Sequence, residues 1–308
     1  MPKRDLLTIA ALSTEEIQRM IDRARHYKNE PRTESESQIF QGESVGLFFE
    51  KPSTRTRVSF EVAIHQLGGY PIFLSSNDLQ IKRGETISDT ARVLGSYLSC
   101  LVIRTFQHQQ LEEWATASPI PVINALSDRS HPCQILADLL TIFEHRGTLS
   151  GLKLGFIGDG NNVAHSLMIG GAKMGMDVTV ASPPKFMPDP EIVKMATEFA
   201  REHSSRIVVT HDPVEAATDA DVLYTDIWVS MGDEAEAVLR RQVFQPYQIN
   251  TKLSEKAKPN RLIMHCLPAH RGEEITGEVM DGSDSIVFAQ AANRLPMHQA
   301  ILEWIKGG

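Results

Sequence analysis

The chain is poor in cysteine: among its 308 residues only Cys100, Cys133 and Cys266 occur, widely separated and with no C-x-x-C pair. That excludes a disulfide framework and a cysteine-based zinc site, and predicts a reducing compartment. No apolar run approaches the roughly 20 residues needed to cross a bilayer. Positive charge is also short. Thirty-one Lys and Arg stand against 39 Asp and Glu, for a net charge of −8, which excludes broad binding to nucleic acid or an anionic membrane. Near the start, Lys3 and Arg4 precede a short apolar run, but Asp5 and Thr8 interrupt it. Ser13-Thr14-Glu15-Glu16 then reads as a capping box rather than a cleavage site. The expectation is a soluble, cytoplasmic protein without short-period repeats or low-complexity tracts.

What is present begins with length, which suffices for two domains with their own cores. Phe48-Phe49-Glu50-Lys51-Pro52-Ser53-Thr54-Arg55-Thr56-Arg57 reads as the end of a buried strand, a turn broken by Pro52, and the start of a helix closed by Gly68-Gly69. Ser53 or Thr54 is a natural N-cap. Arg55 and Arg57 both fall in the first turn, where the helix dipole already presents partial positive charge. An anion would relieve that crowding, and hydroxyls, bare amides and guanidinium groups at one spot describe a phosphate site. The plainer alternative is that the two Arg side chains pair with Glu50, Glu61 or Glu85.

Apolar strands alternate with helical patterns along the first half: strands at Val45–Phe49, Tyr70–Leu74, Cys100–Ile103 and Pro121–Ala125, with helices between. Gly147 to Gly151 reads as a joint, after which the pattern restarts at Lys153–Ile157. Strands at Asp177–Ala181, Ile207–Thr210, Asp221–Thr225, Arg261–His265 and Ser285–Phe288 follow, and then a C-terminal amphipathic helix, Asn293–Lys306, that can cross back to the first half. This repetition predicts an α/β chain of two doubly wound parallel-sheet domains. In such sheets ligands bind at the carboxyl ends of the strands. Ser53 to Arg57, Gln80, Arg104, His131 and Gln134 lie there in the first half, and Asn161-Asn162, Asp226, Ser230-Met231 and His265-Cys266 in the second. Two such edges facing across a cleft would make one active site.

Each feature has a bland reading beside the chemical one. Gly158-Asp159-Gly160 lacks the third glycine of a dinucleotide fingerprint, and no acidic residue ends the next strand, so a nicotinamide cofactor is not expected. Arg104 is either an ordinary ion pair at a sheet edge or a second phosphate clamp. His131 is either structural or a donor to a carbonyl oxygen that becomes negative. Asp226, ahead of a loop containing Gly232, either caps a helix or holds an ammonium group. Cys266 is either an inert core thiol or a ligand contact. No metal site is expected, because His265-Cys266 has no further ligands at metal spacing.

Ser53-Thr54-Arg55-Thr56-Arg57, His131-Pro132-Cys133-Gln134, Asp226-Ile227-Trp228-Val229-Ser230-Met231-Gly232, His265-Cys266-Leu267-Pro268 and Asn293-Arg294, in this order, resemble the aspartate/ornithine carbamoyltransferase family over essentially the whole chain. The resemblance implies a carbamoyl-phosphate-binding domain at 1–146, joined by the terminal helix 290–308, and an ornithine-binding domain at 147–289. It implies that Ser53, Thr54, Arg55, Thr56, Arg104, His131, Gln134, Cys266, Leu267 and Arg294 hold carbamoyl phosphate. Gln80 would reach a neighbouring subunit's site, hence a homotrimer or a multiple of it. Asn162, Asp226, Ser230 and Met231 would hold L-ornithine, whose δ-amine becomes carbamoylated to citrulline without a cofactor. Arg104, His131, Cys266 and Asp226 are the expected catalytic residues. An aspartate-using relative would need an Arg near Asp226, so the acid here favours a cationic acceptor. Putrescine and acetylornithine are the alternatives to ornithine. Lys82 in the Gln80 loop has no assigned role.

Overall fold

A computed structural model describes residues 3–75, 79–230, 232 and 234–307. Two compact units divide the chain, one formed by residues 1–140 and 293–308 and the other by residues 141–292.

In the first unit, helix α1 (Thr14–Asn29) starts at the expected capping box: Ser13 Oγ accepts from the Glu16 amide, and the Glu16 carboxylate accepts from the Ser13 amide. Strands β1 (Ser44–Phe49), β2 (Tyr70–Ser75), β3 (Cys100–Arg104) and β4 (Val122–Leu126) form a wholly parallel sheet in the order β2-β1-β3-β4. Helices α2 (Thr54–Gln66), α3 (Ile87–Gly95) and α4 (His108–Ala117) make the crossovers, and α5 (Pro132–Arg146), after β4, runs on into the second unit. Phe48, Leu101 and Ile103 on the sheet pack with Ala91 of α3 and Leu111 and Trp114 of α4 in one apolar cluster. Burial of such side chains, at about 25 cal/mol per Å², is what holds strand to helix.

The second unit repeats the plan. Strands β5 (Lys153–Ile157), β6 (Asp177–Ala181), β7 (Ile207–Thr210), β8 (Val222–Thr225) and β9 (Leu262–His265) lie parallel in the order β7-β6-β5-β8-β9. Helices α6 (Asn162–Lys173), α7 (Pro190–Glu202), α8 (Pro213–Ala217), α9 (Ala237–Phe244), α10 (Thr251–Ser254), α11 (Gly277–Met280) and α12 (Val287–Ala292) complete it. One core joins Ile157, Leu223 and Ile263 of the sheet to Ala216, Phe244, Leu253, Met280 and Val287. The segment Ser285–Phe288, expected as a last strand, makes only a single bridge to Ile263 and then turns into α12. Its burial explains why. Val287 and Gln290, three residues apart, are buried while Phe288 is exposed, which is helical periodicity rather than alternation.

The terminal helix α13 (Arg294–Ile305) returns to the first unit and packs on α1 and α2. Arg23 and Tyr27 of α1 both bond the Glu303 carboxylate, and Trp304 Nε1 donates to Glu16. In each sheet the winding reverses once, between β1 and β3 and between β5 and β8. Loops leaving those neighbouring strands diverge to opposite faces, so each reversal leaves a crevice at the carboxyl edge.

Candidate active site

At the first reversal, Ser53 rather than Thr54 is the N-cap of α2, its hydroxyl accepting from the Thr56 amide at 3.4 Å. The two expected arginines part company here. Arg57 bonds Glu61 one turn along at 2.8 Å and lies 3.7 Å over the Phe73 ring, so it takes the plain ion-pair reading. Arg55 is the one on the site side. Arg104, at the end of β3, is 8% exposed and His131, at the entry to α5, is 5% exposed. Burial first, and then the positive charges of Arg294, Arg104 and Arg55 with the nearby His298, hold His131 well below its ordinary pKa. Arg55, Arg104 and Arg294 thus gather positive charge around a neutral imidazole.

Arg294 enters that pocket from the start of α13. Its guanidinium donates to Thr56 Oγ1 at 2.8 Å and Gln134 Oε1 at 3.0 Å, and Gln134 donates in turn to the buried Asp138 at 2.8 Å. Thus Thr56, Arg55, Arg104, His131, Gln134 and Arg294, drawn from four stretches of sequence, are brought together. Gln80 is not among them; it is exposed on the 3-10 turn Gln80–Arg83, as is Lys82.

The second reversal centres on Asp226, 6% exposed just beyond β8. Its Oδ1 accepts from Cys266 Sγ at 2.9 Å and from the Ile227 amide at 2.8 Å; its Oδ2 accepts from Asn161 Nδ2 at 2.9 Å. The thiol is thus a hydrogen-bond donor to the Asp226 side chain. Asn161, the neighbour of the expected Asn162, is the residue that reaches the acid. It also caps α6, Oδ1 accepting from the Val163 and Ala164 amides. Asn162 is half-buried in the first turn of α6, and Ser230 is half-buried in the loop beyond Trp228. Met231 lies outside the described residues.

Gly158-Asp159-Gly160 has a packing explanation. A Cβ on Gly160 would lie 2.2 Å from the Pro188 nitrogen, so only glycine fits. Asp159 bonds Arg240 at 2.7 Å, and Arg240 also donates to the Trp228 carbonyl while lying 4.6 Å over the Phe186 ring. This buried link ties α9 and the loop after β8 to the turn after β5. It was not legible beforehand, because nothing local marks Arg240; Asn161, by contrast, is a recognisable N-cap type. One atom each of Asp226, His265 and Cys266 lies within 4.8 Å of the others, a grouping that spacing along the chain did not reveal. Both His265 nitrogens are already engaged, Nδ1 by the Leu267 amide at 2.8 Å and Nε2 by Glu274 at 3.0 Å. A metal would have to displace one of them.

A cluster of cations at one sheet edge can take a dianion, and a buried carboxylate at the other can take an ammonium group. Comparison with known proteins bears on the same division. Residues 4–144 match the model of the aspartate/ornithine carbamoyltransferase carbamoyl-P binding domain, and residues 150–305 that of the Asp/Orn binding domain. The ornithine carbamoyltransferase of Anoxybacillus flavithermus is 54% identical over 97% of this chain and 95% of its own. The anabolic ornithine carbamoyltransferase of Pyrococcus furiosus is 49% identical over 99% and 97%. A solved ornithine carbamoyltransferase structure from P. furiosus superposes with a TM-score of 0.94, at 48% identity, covering 99% of this chain and 98% of that one. With both halves matched in order and the likeness running from end to end, this chain belongs to the aspartate/ornithine carbamoyltransferase family.

Proposed function

We propose that the protein transfers the carbamoyl group of carbamoyl phosphate to the δ-amine of L-ornithine, giving L-citrulline and phosphate. The observation that carries this reading is the neutral His131 set among Arg55, Arg104 and Arg294. A phosphorylated donor brings a dianion to those clustered cations. Its phosphate is taken by Arg55, Arg104, the hydroxyls of Ser53, Thr54 and Thr56, and the amides at the start of α2. Arg104 and His131 donate to the carbonyl oxygen, which becomes negative as the amine attacks. Gln134, Arg294 and the main chain at Cys266 and Leu267 hold the carbamoyl end.

The acceptor is held by Asn162, Asp226, Ser230 and Met231. Asp226 is a carboxylate with donors on both oxygens, suited to a cationic amino acid rather than to aspartate. The δ-amine resembles Lys, with a pKa near ~10.4, so having it neutral at pH 8 costs about 3 kcal/mol. Water exclusion offsets part of that cost, since burial disfavours the ammonium form. Attack then forms the C–N bond, breaks the C–O bond to phosphate and releases the amine proton. Holding both reactants in one place supplies much of the rate. The donor domain is 1–146 with 290–308 and the acceptor domain 147–289. Gln80 serves a neighbouring subunit's site in a homotrimer or a multiple of one.

We place the protein in the cytoplasm, working in the biosynthetic direction towards arginine; the word anabolic in one relative's name supports that direction. Among the described residues no helix is long and apolar enough to cross a membrane. The test is a colorimetric ureido assay run in parallel with ornithine, aspartate, putrescine and acetylornithine. Citrulline from ornithine at the highest kcat/KM is expected. Absence of product from ornithine, or a better rate with another amine, overturns the assignment.

A further inference from the structure

We propose that His265 and Glu274 are positioning residues for this reaction, fixing the main chain of Cys266 and Leu267 in the conformation that serves the donor. The inference rests on the reading that this main chain meets carbamoyl phosphate. Leu267 is a non-glycine residue in the left-handed region, with φ of 59°. Such a residue is strained and persists only where its surroundings over-determine it.

The surroundings are specific. Nδ1 of His265 accepts from the Leu267 amide at 2.8 Å, closing a two-residue turn with a side chain. A nitrogen that accepts carries no proton, so Nε2 carries it and donates to Glu274 Oε1 at 3.0 Å. The same oxygen accepts from the His270 amide at 2.6 Å. Both side chains are wholly buried. From the other side, the His265 amide donates to Gln290 Oε1 at 2.9 Å, and Gln290 Nε2 donates to Tyr224 Oη at 3.0 Å. Glu274 thus selects the tautomer of His265, and the tautomer holds Leu267. The second carboxylate oxygen, Oε2, is buried and makes no hydrogen bond, so a neutral carbonyl at Oε1 is sufficient for this work.

The experiment compares E274Q, E274A, H265N and H265Q with wild type, measuring kcat, both KM values and Tm. E274Q keeps the acceptor and H265N keeps an acceptor for the Leu267 amide. Both are expected to retain turnover within about 10-fold. E274A and H265Q lose one or the other bond. They are expected to lose about 100-fold in kcat/KM for carbamoyl phosphate, the scale of a reacting group displaced by about 1 Å, with the ornithine KM little changed. Folded E274A and H265Q with wild-type kinetics overturn the inference, as does activity that follows Tm alone and is not restored by E274Q. Should E274A fail to fold, the contrast between H265N and H265Q decides. Wild type inactive with ornithine would instead overturn the functional reading beneath it.

Discussion

Asn161 performs two tasks with opposite ends of one amide, and substitution can separate them. Its oxygen caps α6, accepting from Val163 at 2.9 Å and Ala164 at 3.3 Å; its nitrogen donates to Asp226 at 2.9 Å. A lost cap costs about 1 kcal/mol, which in a protein of this size lowers Tm by roughly 2–4 °C. A lost bond to a carboxylate costs about 1.5–3 kcal/mol. N161A loses both. N161D keeps the cap and sets a second carboxyl against Asp226. Two like charges at that separation repel by roughly 4 kcal/mol at an effective dielectric of about 20, or about 3 pKa units shared by the pair. The raised pKa means the pair keeps one proton at and below neutrality, and the new carboxyl then donates as the amide did. Above it, two negative charges face each other. N161D is therefore expected near wild-type Tm at pH 6, with an ornithine KM that departs from wild type by about 10-fold or more as pH rises past 8. The KM for carbamoyl phosphate should stay nearly constant. An N161D enzyme whose ornithine KM follows wild type across pH 6–9 would refute the claim that Asn161 acts on Asp226.

The two arginines of α2 should separate cleanly. R55L is expected to lose about 2–4 kcal/mol of transition-state stabilisation, by analogy with a lost oxyanion donor. R57L should lose only the roughly 0.3–0.5 kcal/mol of an exposed i,i+4 pair, and equal kcat/KM for the two variants would contradict the assignment of Arg55. His298 is wholly buried, stacked on Phe60 with ring centroids 3.8 Å apart, and held well below its ordinary 6.5 by burial and then by Arg294. Its unfolded form binds a proton that the folded form refuses, so stability is full above pH 6.5 and falls as pH drops below it. Each such group contributes up to about 1.4 kcal/mol per pH unit. H298L should flatten that acid limb in urea melts between pH 6.5 and 5, and an unchanged slope would refute the linkage. R240M removes the guanidinium that bonds the largely buried Asp159 carboxylate and should cost about 3–5 kcal/mol, while the double variant D159N/R240M should recover part of it. Unfolding in urea measures both, and no recovery would show that packing on Phe186, rather than the ion pair, is what Arg240 supplies.

Much of this protein is set by local rules that a sequence displays. The capping box at Ser13 and Glu16 and the alternation of apolar strands with helices act within a few residues, and so do the hydroxyls and arginines at the start of α2. Residues adjoining strand ends, such as Arg104 and Asp226, declare their edge by position alone. The strand expected at Ser285–Phe288 failed because a short apolar run carries too few residues to distinguish period two from period 3.6. The partners had to come from the fold. Arg57 turns to Glu61 and Phe73 whereas Arg55 does not; Asn161 rather than Asn162 reaches Asp226; Arg294 and Arg240 travel from distant helices to Thr56 and Asp159. Local propensity fixes which residues stand at an edge. Which of them touch depends on side-chain direction and on helices returning across the sheet, and those distances exist only once the chain has packed.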